Sequence, residues 1–596
     1  MGRAAVSRPI EDYALLGDGQ TAALLSRDGS IDWLCWPRFD DDACFAALLG
    51  TSDNGCWSLA PAGDIERQAR RYQENTLVME TDFELRDGAV RLIDFMPVGE
   101  ASSSVVRMVV GLRGVVQMDM SLCLRFNYGA LRPWSEPIDG AIQSCIGPDG
   151  VFLRADIALS MDKGRAQASF AVHAGESVTF VLSYGAPNET PPPPVDAQAA
   201  LRRTQHFWRD WIGRFDNGRT DWPEAARRSL LTLKALTHGR TGAIVAAPTT
   251  SLPEAPGGRM NWDYRYGWLR DTSFAMVALL NAGFNDEASA WRDWLLRSIG
   301  ASPEHIRIMY RVDGGRHLSE WNVEWLPGHR YALPVRVGNA AAHQHQVDVL
   351  GEIIDCLDVG RRGGLKPASS ENFVETRIVE HLEQVWNTPG SGIWESRSTP
   401  RHYTYSRVMV WVALDRFVNN RSGDAACAAL VERIASLRET VRDEICREGW
   451  NEGMGSFTQY YGADELDASL LLMPLVGFLP ADEPRMASTI ERIRRDLSEN
   501  GLIRRRKKRP DGPNEGTFLA CSCWMADCLQ MQGRTEEARQ QFERVLAVAN
   551  DLGLLSEQYN AERHELAGNF PQALTHLAVI NSALGLCGPT IQRGGG

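Results

Sequence analysis

The sequence predicts a two-domain chain, an N-terminal antiparallel β-sandwich followed by an (α/α)6 barrel, and three observations carry that prediction. Short apolar runs separated by turn dipeptides fill the first third. Beyond Asp221 apolar residues recur at three- and four-residue steps. The connections between those helical stretches then alternate between long and short. At 596 residues the chain exceeds what one ordinary core can organise, so two large domains are expected. The divisions fall at 1–190 for the sandwich, 191–220 for a linker with a helical segment, and 221–590 for the barrel.

In the first part the apolar runs are Thr21 to Leu25, Val90 to Phe95, Ser104 to Val110 and Ser177 to Leu182. Asp28-Gly29, Asp87-Gly88 and Asp149-Gly150 are hairpin signals between them. Many short strands at this spacing suggest a sandwich. Pro191 to Pro194 stiffen a connector before the period changes.

Twelve helices are expected after it: Trp222–His238, Asp271–Ala282, Asp286–Ile299, Ala341–Leu357, Glu371–Val385, Thr404–Val418, Asp424–Arg447, Asp467–Pro474, Pro484–Leu497, Thr517–Met531, Glu536–Ala549 and Pro571–Leu584. Connections after the odd-numbered helices are long, whereas loops between packed helices normally run about two to eight residues. Strict alternation puts every long loop at one end of a bundle of antiparallel helix pairs. Six pairs closing into a ring make a barrel with one elaborated mouth, and long irregular loops in a compact domain are usually functional.

Composition narrows the function. With 44% hydrophobic and 23% charged residues the chain is an ordinary globular protein. A formal charge of −13 repels nucleic acid and anionic membrane on average but is indifferent to a neutral sugar. Met1 to Gln20 lacks a secretory pattern, since Asp12 and Asp18 interrupt it. The run Leu470 to Leu479 is broken by Pro474 and too short to span a bilayer. The twelve cysteines are scattered, and Cys521, Cys523 and Cys528 lack the paired spacing of a zinc site, so buried free thiols in a reducing cytoplasm are expected.

The long loops hold the candidate site. The first ends Asn261-Trp262-Asp263-Tyr264-Arg265-Tyr266-Gly267-Trp268-Leu269-Arg270-Asp271, whose rings suit the apolar face of a pyranose and whose Arg270 and Asp271 suit its hydroxyls. The alternative is a salt bridge at a helix start with Asp271 as N-cap. The fifth carries Trp394-Glu395, then Ser396, Arg397, His402 and Tyr403. An indole beside a carboxyl raises its pKa by desolvation, so Glu395 suits a general acid. The eleventh carries Glu557 beside Gln558 and Tyr559, polar neighbours expected to keep it ionised as a base. Two surface glutamates are the plainer alternative, weakened because both lie on one mouth. Trp321, Trp325, Arg336 and Asn339 in the third loop, Trp450, Phe457, Gln459, Tyr460 and Tyr461 in the seventh, and Pro513 to Gly516 in the ninth are candidate walls. His343 and His345, two apart at a helix start, point away from each other and do not form a metal pair. The run Arg504 to Arg509 reads as a solvated loop or as one arginine reaching the ligand.

In this order, with Tyr13 to Gly19 and Gly29-Ser30-Ile31-Asp32-Trp33 at the start, the motifs resemble the glucoamylase and trehalase family of inverting glycoside hydrolases, family 15, from Ile10 to about Leu586. The resemblance implies Glu395 as general acid and Glu557 as general base. It also implies that Tyr264, Trp268, Arg270 and Asp271 line the pocket for the non-reducing glucose; Trp394, Arg336 and Tyr559, by their place in the mouth loops, are further candidate substrate-binding residues. Glu515 and one of Arg504 to Arg506 fall where the family contacts substrate. His343, His345 and the basic run depart from the family's usual residues, which bears on substrate choice and not on chemistry.

The expected activity is hydrolysis of α,α-trehalose with inversion, or of malto- or isomalto-oligosaccharides. Room for the attacking water puts the two carboxyls about 6.5–9.5 Å apart. The chemistry requires no cofactor and no metal; phosphate or Mg²⁺ dependence, aglycone and oligomeric state stay open. An inverting phosphorylase, for which the arginines would hold phosphate, and a non-catalytic carbohydrate-binding protein are the rivals.

Overall fold

The structure, a computed structural model, describes residues 7–138, 140–508 and 515–594. Met1 to Val6, Arg509, Pro513 and Asn514, which enter the sequence reading, lie outside those residues.

The N-terminal part is two antiparallel layers that share one strand. Ser104–Cys123 is 20 residues long. Its first half pairs with Gly88–Phe95 and Ser177–Tyr184, its second with Cys56–Pro61 and Arg165–His173. The sequence pattern ends this strand at Val110; two glycines let it cross between layers. A Cβ on Gly111 would lie 2.1 Å from the His173 carbonyl oxygen, and one on Gly114, at φ +62°, 2.0 Å from that of Asp87. Asp28-Gly29 lies between the paired strands Ala22–Ser26 and Ser30–Cys35, whereas at Asp87-Gly88 the turn between Met79–Leu85 and Gly88–Phe95 is Arg86-Asp87, since Gly88 already pairs with Leu85. The Asp149-Gly150 signal instead opens the strand Asp149–Ala155, because Ile146 pairs with Asp149 and the turn is Gly147-Pro148.

Helix α1 (Ala197–Ile212) follows the proline connector, with Asp196 Oδ1 accepting the Ala199 N–H at 3.0 Å. Ala200 and Leu201 pack on Val78, Phe95 and Val106 of the sandwich, while Trp211 stacks on Phe284 of the barrel at 4.2 Å. The helix thus joins the two domains.

The barrel's outer helices are α2 (Pro223–Ala235), α4 (Asn285–Ile299), α6 (Glu371–Val385), α8 (Ala428–Glu448), α10 (Pro484–Asp496) and α12 (Thr535–Leu546). Its inner ring is α3 (Thr272–Asn281), α5 (Asp348–Arg362), α7 (Thr404–Arg421), α9 (Leu472–Leu475, entered through a 3-10 turn at Ala468–Leu471), α11 (Leu519–Met531) and α13 (Ala573–Gly585). Each inner helix packs on the next and α13 packs back on α3, which closes the ring. Sequence character sorts the two rings. Every residue of α3 is buried, so it is apolar all round, whereas α8 buries only Leu430, Ile434, Val441 and Ile445, a single stripe at helical spacing.

The helix expected over Ala341–Leu357 begins only at Asp348 and runs on to Arg362. Asn339 Oδ1 caps a short 3-10 turn at the Ala341 N–H, 3.0 Å away, and Gln344 then becomes extended. That detour frees the Gln344 side chain for the site described below.

The first mouth loop also welds the domains. The buried Arg265 pairs with Asp263 at 2.7 Å and donates to the Asp41 carbonyl at 2.7 Å and to the Tyr128 hydroxyl at 2.9 Å. Trp33 Nε1 donates to the Pro248 carbonyl at 2.7 Å. All of the cysteines are free thiols, with Cys521, Cys523 and Cys528 buried. Among the described residues no helix is long and apolar enough to cross a membrane.

Candidate active site

Six loops run from the end of an outer helix to the start of the next inner one, and they converge on one mouth. The cavity there, about 220 Å³, is lined by Tyr264, Arg270, Trp394, Glu395 and Glu557, with Glu254, Trp262, Asn339, Arg397 and Arg505 among its other walls.

One loop holds both carboxyl groups. Trp268 Nε1 donates to Glu395 Oε1 at 2.6 Å, and the Tyr264 hydroxyl donates to Glu557 Oε1 at 2.7 Å. The two rings are edge-on neighbours, their centroids 5.3 Å apart. Residues 264 and 268 thus fix the two carboxyls relative to each other through a single rigid contact.

Glu395 sits on strained backbone at φ +55°. Gln344 Nε2 donates to its carbonyl at 3.0 Å and to that of Ser396 at 3.3 Å, which holds the turn. Just before it, Gly392 at φ +71° lies against the Tyr403 ring, where a Cβ would come within 2.8 Å. Arg270 Nη1 donates to Oε1 at 3.1 Å and Nε to Asp271 at 2.9 Å. Burial pushes the Glu395 carboxyl up; Arg270 and Trp268 oppose it without cancelling it. Both donors engage Oε1, which leaves Oε2 for a proton.

The indole beside this carboxyl is therefore Trp268 and not its chain neighbour. The turn at Glu395 sends Trp394 the other way, where its Nε1 donates to Asp467 at 2.8 and 3.0 Å, and Gln459 Nε2 donates to the same carboxylate at 2.9 Å.

Glu557 also departs from expectation. Gln558 Nε2 turns away to Glu254, 2.8 Å distant, and the Tyr559 hydroxyl meets His564 Nδ1 at 3.4 Å, so neither flanking residue solvates the carboxyl. Burial, then the carboxylate of Glu254, push Glu557 well above the usual carboxylate range; Arg505 and the Tyr264 hydrogen bond pull against them. Its Oε2 has no hydrogen-bond partner among the described residues and lies against Gly568, where an added Cβ would sit 2.8 Å away. Gly568, at φ +78°, admits this approach.

The remaining candidates divide between wall and support. Asp271 stands behind the cavity as the partner of Arg270; it occupies the N-cap position of α3 but makes no side-chain cap. Arg336 lies under Trp262, its Nη1 donating to the carbonyls of Arg259 and Asn261 at 2.9 Å each, and does not line the cavity. Glu515 holds Arg505 at 2.8 Å and Arg506 at 3.4 Å. Of the basic run, Arg505 and Arg506 reach the cavity; Arg504 turns to Glu499 and the Glu515 carbonyl. Trp321 and Trp325 pack toward Tyr128 of the sandwich. The seventh-loop aromatics pair elsewhere, Trp450 on Phe457 and Tyr460 on Tyr403. His343 Nδ1 faces Arg307 at 2.7 Å and His345 Nε2 faces Thr388 at 2.8 Å, two unrelated settings.

Sequence reasoning missed Glu254 and Asp467. Each is a lone acid beside ordinary neighbours, and only the fold brings Glu254 to Arg505 and Glu557, and Asp467 to Trp394.

Comparison with known proteins agrees with this layout. Residues 1–208 match the trehalase-like N-terminal family, and residues 223–584 match glycosyl hydrolases family 15. A trehalase of Mycobacterium tuberculosis is 36% identical across 97% of this chain and 89% of its own. A trehalase of Thermoplasma volcanium is 32% identical across 96% and 93%. A bacterial glucoamylase solved with acarbose superposes with a TM-score of 0.72 over 98% of this chain and 95% of its own at 12% identity, which shows the shared fold of sandwich and (α/α)6 barrel. The chain belongs to glycosyl hydrolases family 15 and is a glycoside hydrolase.

Proposed function

We propose that the protein is an inverting α,α-trehalase. The observation that carries the proposal is the pair of carboxyl groups, Glu557 buried and Glu395 half-buried, held by adjacent rings of one loop, one with a free oxygen for a proton and the other with an unpartnered oxygen for a water. Full-length similarity to proteins named trehalase supports the substrate.

In this reading Glu395 Oε2 gives its proton to the glycosidic oxygen as the C1–O bond breaks. A water on the opposite face bonds to C1 and loses a proton to Glu557 Oε2. One glucose leaves as the β anomer and the other, whose anomeric bond is untouched, as α. Arg270, held from behind by Asp271, donates to hydroxyls of the first sugar, and Tyr264 and Trp394 supply rings to its apolar face. The step uses only the two carboxyls and water, so no cofactor is called on. The substrate is a small neutral sugar, and the free thiols support a reducing, cytoplasmic setting.

A panel of trehalose, kojibiose, nigerose, maltose, isomaltose and soluble starch, assayed for glucose release, tests the proposal. Trehalose should have the highest kcat/KM, by at least about tenfold. Preference for maltose or starch would replace it with an α-glucan hydrolase, and glucose 1-phosphate formed with inorganic phosphate would replace it with a phosphorylase.

A further inference from the structure

The loop that carries Glu395 continues into the cavity wall as Ser396 and Arg397. A general acid faces the leaving group, so the segment immediately after it borders the place where the departing sugar sits. Arg397 is well exposed, its side chain retaining 38% of its accessible surface, yet it is not free. Its guanidinium makes a two-pronged contact with Glu320, with Nη1 to Oε1 at 2.9 Å, and lies over the Trp262 ring at 4.0 Å from the centroid. Arg336 lies over the same ring at 4.4 Å, and its Nε reaches the same Glu320 oxygen at 3.4 Å. The Ala340 N–H donates to the other oxygen at 3.1 Å. Burial of Glu320 is more than offset by Arg397 and Ala340, which hold its carboxyl below the usual range, so the anion at the centre of this cluster stays charged. Three mouth loops are tied together here: Trp262 from the first, Glu320 and Arg336 from the third, Arg397 from the fifth.

The depth order of the cavity says what the cluster is for. Glu557, Tyr264 and Arg505 are buried at the floor, while Trp262 is half-buried and Arg397 exposed at the rim. A second charged group, Arg505 with Glu254 and Glu515, stiffens another part of the wall. A sugar bound at the floor places its glycosidic oxygen at Glu395, and the next ring must then lie between Ser396, Arg397 and Trp262. A guanidinium with fixed N–H directions suits a hydroxyl-rich pyranose, whose hydroxyls accept from it, while the indole, stacked against Arg397 and Arg336, holds that guanidinium in place and borders the sugar as part of the wall.

We infer that Arg397 and Trp262, locked by Glu320 and Arg336, form the leaving-group subsite and select a substrate whose departing part is one sugar ring. This rests on the reading of the site as a glycosidase that cuts a short α-glucoside. Arg397 and Trp262 are specificity-determining residues, and Glu320 and Arg336 are positioning residues that act through them.

The test compares two substrates that share the first sugar and differ in the leaving group: trehalose, and α-glucosyl fluoride, whose fluoride makes no use of a second subsite. Arg397→Ala should lower the ratio of kcat/KM for trehalose to that for the fluoride at least tenfold. Glu320→Gln should lower it less, and Arg397→Lys should restore part of it. Because the Arg397 side chain reaches the surface and Glu320→Gln keeps the shape of the side chain it replaces, circular dichroism should match the parent protein, with Tm recorded as the control for the loop ties that Glu320 makes. Ratios within twofold of the parent for both Arg397→Ala and Glu320→Gln, in folded protein that still cuts trehalose, would overturn the subsite and leave the trehalase reading standing. If the parent cuts another α-glucoside instead of trehalose, the trehalase reading falls, and the same ratio taken with that glucoside decides the subsite on its own.

Discussion

Glu395 and Glu557 share a cavity and are both withdrawn from water, yet the charge beside each has opposite sign. Glu395 lies 3.1 Å from the Arg270 guanidinium, whereas Glu557 feels the carboxylate of Glu254. A cation steadies an anion, so Arg270 draws Glu395 toward ionisation without cancelling its burial, whereas Glu254 adds to the burial that opposes ionisation of Glu557. That is the reverse of what the chain neighbours suggest, since Trp394 flanks the first and polar residues flank the second. The difference teaches that roles here follow from which oxygen is free and which side the leaving group occupies. A flanking residue in sequence says little when the backbone turns at the carboxylate itself.

The largest effect should separate the two groups by chemistry. Glu395→Gln and Glu557→Gln should each reduce trehalose hydrolysis by roughly 10²–10⁴-fold while retaining the fold. Fluoride leaves without a proton, so Glu395→Gln should keep most of its activity on α-glucosyl fluoride and Glu557→Gln should not. Equal losses on both substrates, measured by fluoride and glucose release, would erase the proposed difference between them.

A smaller effect should follow from the hydrogen bond that fixes the base. Tyr264→Phe removes the 2.7 Å donor to Glu557 and leaves its buried Oε1 only the long contact from Gln572 Nε2 at 3.4 Å, so kcat should fall by roughly ten- to a hundredfold with the ring packing intact. Steady-state kinetics with Tm as control would check it.

The smallest effect is a shift in pH dependence. Glu557 works as a base only when deprotonated, so kcat/KM rises with pH through its pKa. Burial and Glu254 set that pKa above the usual range; Glu254→Gln removes the second cause and leaves Arg505, still paired with Glu515, with one carboxylate fewer to offset its pull on Glu557. The acid limb should move to lower pH. An unmoved limb, or one displaced upward, would remove Glu254 from the electrostatics of the base.

Much of this was legible in the sequence where a local rule matched the fold. Apolar residues recur at helical spacing in inner and outer helices alike, and loop lengths alternate with them, so the barrel and its single mouth could be read from period and spacing. The long strand could not, because its continuation past Val110 depends on Gly111 and Gly114 meeting backbone far away in sequence. In the site, Tyr264, Trp268 and Arg270 belong to one dense motif and were found together. That motif also hid a second purpose, since Asp263 and Arg265 alternate with them and face the sandwich. Glu254 and Glu320 carry no local signal, and Asp467 signals only the helix start that it caps through the Ser469 N–H. In the site each matters through a partner far away in the chain, Arg505, Trp394 and Arg397 respectively, and such pairings are decided by tertiary contact.

The stereochemistry of the first products bears most directly on the central claim. Proton NMR of trehalose hydrolysis, recorded before mutarotation, should show α- and β-glucose appearing in equal amounts, one from the departing sugar and one from water attack with inversion. Release of α-glucose alone would mean retention and would contradict the assignment of Glu557 as a base acting on water.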